Sequence, residues 1–202
     1  MITEDIAHIV DYLIYKSRYL KDISLYHGKL GVSLALYMYA DKNRQPILQE
    51  LAWDLLQDVL LGISSNFPIG IENGLAGIGY GITLLKQKGF IDCDLDDELS
   101  EIDQKIMEYD PRRMEDISYR KGIEGILAYF SLRYQVEGKL YSIDGTFQYE
   151  LKTLYDALKV EHQYRVSLFD NIAKPEFSIS KYIAKPLGID KGCSYYIIQA
   201  CK

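Results

Sequence analysis

The fold is decided by the segment Tyr26-His27-Gly28-Lys29-Leu30-Gly31, whose glycine motif returns three more times along the chain. The later copies are Glu72-Asn73-Gly74-Leu75-Ala76-Gly77, Arg120-Lys121-Gly122-Ile123-Glu124-Gly125 and the weaker Asp190-Lys191-Gly192-Cys193-Ser194-Tyr195. An apolar run follows each copy. The first glycines of the first three copies are 46 and 48 residues apart, and a period of this length is typical of a supersecondary unit that is used repeatedly.

The intervals between the motifs carry apolar residues at helical spacing, so plain helices are expected to alternate with glycine-headed helices. Thr3 and Asn73 are suitable N-caps, Pro46 suits the first turn of a helix, Asp94 begins another, and Gly89 is a suitable stop. No stretch is convincing as a strand. The sequence therefore predicts an all-α fold of about four helical hairpins.

The length of 202 residues predicts a single domain that covers residues 1–202. The interval between the third and fourth motifs is longer than the others, at 70 residues. The extra length falls in residues 161–190, which contain Pro175 and Pro186. We expect this segment to be an insertion or a long loop, and loops of that length are often functional.

The net charge, the apolar runs and the cysteines of the chain limit which partners and which cellular compartment are expected. A net charge of −6 argues against a nucleic-acid partner, and no apolar run approaches the roughly 20 residues needed to cross a bilayer. The acidic start of the chain does not resemble a secretory signal. Three cysteines without a framework spacing suit a reducing compartment. We therefore expect a cytoplasmic protein that binds neither nucleic acid nor membrane.

Eighteen tyrosines are many for this length. They fit two interpretations. Tyrosine covers the wet edge of helical cores, with its ring buried and its hydroxyl in water. Alternatively, tyrosines line a groove that binds a peptide or a sugar.

The helix starts carry the candidate binding residues. His27, Asn73, Lys121 and Lys191 hold equivalent positions, just before the first glycine of each motif. If the glycine-headed helices form an inner layer, these residues gather at one end of it. Free amide N–H groups would point the same way and attract anions or carbonyl oxygens. Asn73 could equally be an N-cap, and His27 could equally be structural.

The glycines themselves need an explanation, because glycine inside a helix costs about 0.5–1 kcal/mol relative to alanine. In the first two motifs the small residues fall three and four positions apart and share one helix face. A smooth face lets another backbone approach closely, or it leaves room for a ligand. Packing is the default interpretation.

The segments from Leu25 to Val32 and from Gly70 to Gly79 resemble the lanthionine synthetase C-like family, and the likeness extends weakly over all four repeats. The resemblance implies an α/α toroid-like array whose glycine motifs start the inner helices. Cyclases of that family use a zinc ion, held by two cysteines and a histidine, to activate a peptide thiol. The resemblance also implies that a histidine placed like His27, in His27-Gly28, helps with proton transfer.

The chain departs from the family at the zinc ligands. No histidine adjoins a cysteine, and Cys193 and Cys201 are expected to be buried small hydrophobes rather than ligands. We therefore expect no metal and no cofactor. The chain also has fewer hairpins than a complete toroid, so we expect an open or reduced ring, or one completed by self-association as a homo-oligomer.

A run of acidic residues mimics a calcium loop but lacks its key features. Asp92, Asp94, Asp96 and Asp103 occupy ligand-like spacings, yet the sixth position is Asp97 where such a loop has glycine. The run is therefore interpreted as the solvated start of a helix.

Two classes of function follow. The first is a zinc-independent accessory factor in peptide modification, which binds a peptide or protein partner and is not an enzyme. Its candidate binding residues are Tyr26, Asn73, Lys121 and Lys191. The alternative is an α/α enzyme with acid–base, hydrolase-like chemistry, or a divergent lanthionine cyclase. Its candidate catalytic residues are His27, Glu72 and Glu124.

Overall fold

The computed structural model describes residues 2–64, 66–161 and 167–202. Within these ranges the chain forms ten α-helices, two short 3₁₀ turns and no strand, which confirms the all-α prediction. The helices are α1 Ile2–Ser17, α2 Lys29–Asn43, α3 Pro46–Gly62, α4 Leu75–Gln87, α5 Leu95–Glu98, α6 Ser100–Met107, α7 Ile123–Glu137, α8 Gly145–Glu161, α9 Leu168–Asn171 and α10 Cys193–Cys201. The 3₁₀ turns are Pro111–Arg113 and Ile179–Lys181.

The contacts within the chain divide it into two compact units. The first unit is Met1–Ser64 with Ile172–Lys202, and the second is Ser65–Asn171. The single domain over residues 1–202 and the insertion over residues 161–190 stay predictions. None of the helices in the described ranges has the length and apolar content needed to span a bilayer.

In the first unit, α2 is the central helix. It packs against α3 and α10, and α1 packs against both α10 and α2. Ten of the fifteen residues of α2 are buried, and a helix that is buried nearly all round belongs to a core rather than to a surface. The two glycine-headed helices of this unit, α2 and α10, are therefore in contact.

The second unit repeats this arrangement with α4 at its centre. Eleven of the thirteen residues of α4 are buried, and α4 packs against α7 and α6. The two glycine-headed helices of this unit, α4 and α7, are again in contact. Plain helices separate the glycine-headed helices along the chain, as predicted, but two of them rather than one precede α7 and α10.

The helix boundaries confirm some sequence signals and correct others. Pro46 lies in the first turn of α3, and Gly89 follows α4 with a φ of 73°. The side chain of Asp94 caps α5 by accepting the N–H groups of Asp96 and Asp97. Asn73 is not the cap of α4, because Gly74 holds that position and no side chain bonds to the helix start. The side chain of Thr3 lies outside the described residues.

Each glycine-headed helix begins under a loop that folds back over its N-terminus. In all four copies, the N–H of the residue after the first glycine donates to a carbonyl seven residues earlier. The pairs are Lys29 to Asp22 at 2.8 Å, Leu75 to Pro68 at 2.8 Å, Ile123 to Asp116 at 3.0 Å and Cys193 to Pro186 at 2.8 Å. The next N–H along the chain also bonds to this loop in three copies, from Ala76, Glu124 and Ser194. The first amides of these helices are therefore not free: of the two predicted acceptors, anions or carbonyl oxygens, they bind carbonyl oxygens of their own loops.

This loop is the reason for the glycines. A Cβ on Gly122 would collide with the carbonyl oxygen of Asp116, and a Cβ on Gly125 would collide with that of Tyr119. The corresponding glycines of the first and second motifs meet loop carbonyls in the same way. The close backbone at these positions therefore belongs to the helix's own preceding loop, and it fills the space in which a ligand would otherwise fit.

A buried ionic cluster joins α5, α6 and α7 in the second unit. The fully buried guanidinium of Arg133 forms ion pairs with Asp103 and with Asp96, the latter at 2.5 Å. Asp103 also accepts the Tyr129 hydroxyl at 2.6 Å and the Ser142 hydroxyl at 2.6 Å. Asp103 is fully buried, so the interpretation of the acidic run as a solvated helix start is wrong for this residue. The physical reason is that Arg133 and two hydroxyls replace its water.

Replacement of Gly122 by alanine is expected to lower the free energy of unfolding by about 2–3 kcal/mol, because the added Cβ displaces the loop carbonyl of Asp116. Urea denaturation followed by circular dichroism measures this change. The matched control is Gly145→Ala, since a Cβ there meets no atom within 4 Å. The control should leave stability unchanged or raise it by about 0.5 kcal/mol. Equal unfolding midpoints for the two variants would contradict the close approach.

Candidate functional site

In the first unit, the starts of the fourth and first motifs lie side by side. The N–H groups of Ile189 and Asp190 both donate to the carbonyl of Tyr26, at 2.9 and 3.2 Å. Gly188 permits this approach, because a Cβ there would lie 2.6 Å from the Cα of His27. The backbone therefore fixes the position of His27 relative to the fourth motif.

This arrangement brings a histidine and a carboxylate together. A ring nitrogen of His27 lies within 4.8 Å of a carboxylate oxygen of Asp190. His27 is exposed, whereas Asp190 is only 3% exposed and accepts the N–H of Ala173 at 2.6 Å. A buried carboxylate beside an exposed imidazole can accept a ring N–H and so orient the ring for proton transfer.

Sequence reasoning selected His27 and missed Asp190. The missed signal was the register of the motifs, since Asp190 holds the same position in the fourth copy as Glu72 holds in the second.

In the second unit, the starts of the second and third motifs make the equivalent contact. The N–H of Glu72 donates to the carbonyl of Arg120 at 2.9 Å, and the two side chains form an ion pair at 2.7 Å. Arg120 also donates to the carbonyl of Asn171 at 3.1 Å. The carboxylate of Glu72 is therefore engaged by a cation of its own unit. Glu124 is half-buried in the first turn of α7.

The candidate binding residues differ in accessibility. Tyr26 is fully buried, so its ring is part of the core of the first unit. Asn73, Lys121 and Lys191 are exposed, and Lys191 has a left-handed φ of 54°. These three residues stay predictions as ligand contacts.

The cysteines of α10 differ from each other in burial. Cys193 is fully buried, as expected, whereas Cys201 is half-buried. Burial raises the pKa of the Cys193 thiol to about 12, so the thiol stays protonated at neutral pH. A metal ligand must be a thiolate, and the surroundings of Cys193 therefore favour a core role.

The second unit contains an open cavity of about 710 Å³ between α7, α8 and the loop that joins them. Its apolar lining comes from Leu127, Phe130, Leu140, Ile143 and Leu151. Its polar lining comes from Ser131, Tyr134, Gln135, Gln148, Tyr149, Lys152 and Asp156. Tyr134 and Tyr149 are 61% and 72% exposed, so two tyrosine rings stand in solvent beside an apolar surface.

One side of this cavity is the wall loop, which we define as residues 139–144. Asp96 holds the loop by accepting the N–H of Tyr141 at 3.1 Å and the hydroxyl of Ser142 at 3.1 Å. At the end of the loop, Asp144 accepts the N–H groups of Thr146 and Phe147, at 2.8 and 3.1 Å. These N–H groups lower the pKa of the Asp144 carboxyl. The cavity is therefore bordered by a loop that is held by hydrogen bonds at its middle and at its last residue.

Comparisons with known proteins add no assignment: no protein-family model matches the chain, and no curated protein matches it.

The two cysteines of α10 are expected to differ in their rates of alkylation. At pH 8 a thiol with a pKa of about 12 is thiolate in roughly one molecule in ten thousand, so iodoacetamide should modify Cys201 well before Cys193. Mass spectrometry of peptides measures both rates, and the rate at Cys193 should rise as the pH is raised towards its pKa. Urea-unfolded protein is the control and should show similar rates. Equal rates in the folded protein would contradict the burial of Cys193.

Proposed function

We propose that the protein is a zinc-independent, lanthionine synthetase C-like accessory factor that binds a peptide or protein partner during peptide modification. The observation that carries this proposal is the cavity in the second unit. Its volume of about 710 Å³ lies in the range of ligand sites. It is lined by one glycine-headed helix, α7, by α8, and by the tyrosines Tyr134 and Tyr149.

The lining of the cavity suits a peptide. The apolar residues can take aliphatic or aromatic side chains out of water, which contributes about 25 cal/mol for each Å² of apolar surface. The hydroxyls of Tyr134 and Tyr149 and the amides of Gln135 and Gln148 offer hydrogen bonds at the rim. Tyrosine is enriched at binding surfaces because it combines a large ring with a polar tip.

The proposal keeps the α/α toroid-like arrangement of about four hairpins. Two observations support it: the alternation of plain and glycine-headed helices, and the packing of α2 on α10 and of α4 on α7. It also keeps a cytoplasmic location, because Cys93, Cys193 and Cys201 are all free thiols and free thiols suit a reducing compartment.

One observation favours the alternative of acid–base chemistry, namely the proximity of His27 and Asp190 within 4.8 Å. The test uses a peptide that carries one cysteine and one dehydroalanine, incubated with chelator-treated protein. Mass spectrometry after alkylation counts the thiols that remain. Binding alone predicts no loss of thiol. A loss of peptide thiol with the wild type but not with His27→Ala would show catalysis and would contradict a purely accessory role.

Filling the cavity is expected to weaken peptide binding. Ser131 lines the cavity from α7, so Ser131→Trp should weaken the binding of short end-blocked apolar peptides by about tenfold or more. Fluorescence anisotropy of a labelled peptide pool measures the effect. Thr153→Trp is the matched control, because Thr153 is an exposed residue of α8 that does not line the cavity. Equal affinities of wild type, variant and control, or no binding to the wild type, would contradict the proposal.

A further inference from the structure

Gln148 is held in a fixed orientation at the edge of the cavity. Its Nε2 donates to the carbonyl of Leu140 at 3.0 Å and to the carbonyl of Ile143 at 2.8 Å. Both acceptors belong to the wall loop, and both residues line the cavity. A side-chain amide has two N–H donors, so both are used and the orientation of the amide is set.

This orientation leaves an acceptor for a ligand. The Oε1 of Gln148 accepts no hydrogen bond from the described residues, and the side chain is exposed. An acceptor that is already fixed loses little conformational entropy when a donor binds to it. A ligand with an N–H next to an apolar group is therefore favoured over one without it.

The charges of the cavity cancel. Lys152 and Asp156 are its only charged lining residues within the described ranges, they lie one turn apart on α8, and they carry opposite charges. A charged ligand would lose its hydration beside the apolar lining without a net countercharge, and burying a charge without a partner is costly. The cavity therefore suits an uncharged ligand.

On the basis of the proposed function, we propose that the cavity binds an extended, uncharged and apolar stretch of peptide, one of whose backbone N–H groups donates to the Oε1 of Gln148. The donor requirement excludes the interior of a helix as the ligand, because the backbone N–H groups there are bonded to carbonyls of the same helix. The apolar side chains of the peptide lie against the exposed rings of Tyr134 and Tyr149, above a floor formed by the buried side chains of Leu127, Phe130 and Leu151.

The test removes backbone donors from the ligand one at a time. Short end-blocked apolar peptides that bind the wild type are made with single N-methylated backbone positions, and fluorescence anisotropy gives their affinities. N-methylation at one backbone position should weaken binding by about two- to tenfold, which corresponds to the loss of one hydrogen bond. Peptides with a central lysine or glutamate in place of an apolar residue should also bind more weakly.

Two matched variants assign the effect to Gln148. Gln148→Lys keeps an N–H donor for the wall loop and removes the acceptor, so the loss caused by N-methylation should disappear. Gln135→Lys adds the same charge at the other glutamine of the cavity and should retain the loss. A loss of the same size in Gln148→Lys, no sensitive backbone position, or equal binding of the charged peptides would overturn the inference.

The two proposals fail separately. If Ser131→Trp leaves peptide binding intact, the cavity is not the binding site and the proposed function fails. If Ser131→Trp abolishes binding but Gln148→Lys retains the N-methylation loss, only the assignment to Gln148 fails.

Discussion

The hydrogen bonds from the first N–H groups of each glycine-headed helix to the loop before it are the constraint on which both units depend. They satisfy donors that a helix start otherwise leaves to solvent or to a ligand. They also require glycine, since a Cβ on Gly122 or Gly125 would collide with loop carbonyls. Because the loops are fixed in this way, the first residues of neighbouring motifs meet through their backbones, as Asp190 meets Tyr26 and Glu72 meets Arg120.

The second unit adds an ionic constraint to this backbone constraint. Removing Arg133 and its two aspartates from water is costly, and such clusters contribute less to stability than their short contacts suggest. Their geometry is nevertheless specific, because Asp96 and Asp103 together hold Ser142 of the wall loop. The cavity is therefore bordered by a loop that the core positions, and a preformed site loses less entropy on binding than a mobile one.

Local sequence patterns predicted the positions of the helices. They did not predict the features that depend on how the chain folds back on itself, namely the loop hydrogen bonds at the helix starts and the cavity. The spacing of apolar residues and the capping residues located the helices, including the stop at Gly89 and the cap at Asp94. The use of the helix-start N–H groups was missed because it requires a loop to turn back. A signal was present in the repeated Asp-Ile-Ser at Asp22 and Asp116, whose carboxylates accept the N–H of the following serine. The cavity was missed because apolar spacing on α7 and α8 does not show whether the two helices close upon each other.

We propose that the cavity of the second unit, rather than the motif starts of the first unit, binds the partner. Amide chemical shifts of isotope-labelled protein, recorded during titration with an apolar peptide that binds, test this claim most directly. Shifts concentrated at Leu127, Ser131 and Gln148, with His27 and Asp190 unchanged, are the predicted result. Shifts concentrated at His27 and Asp190, with α7 and α8 unchanged, would contradict it.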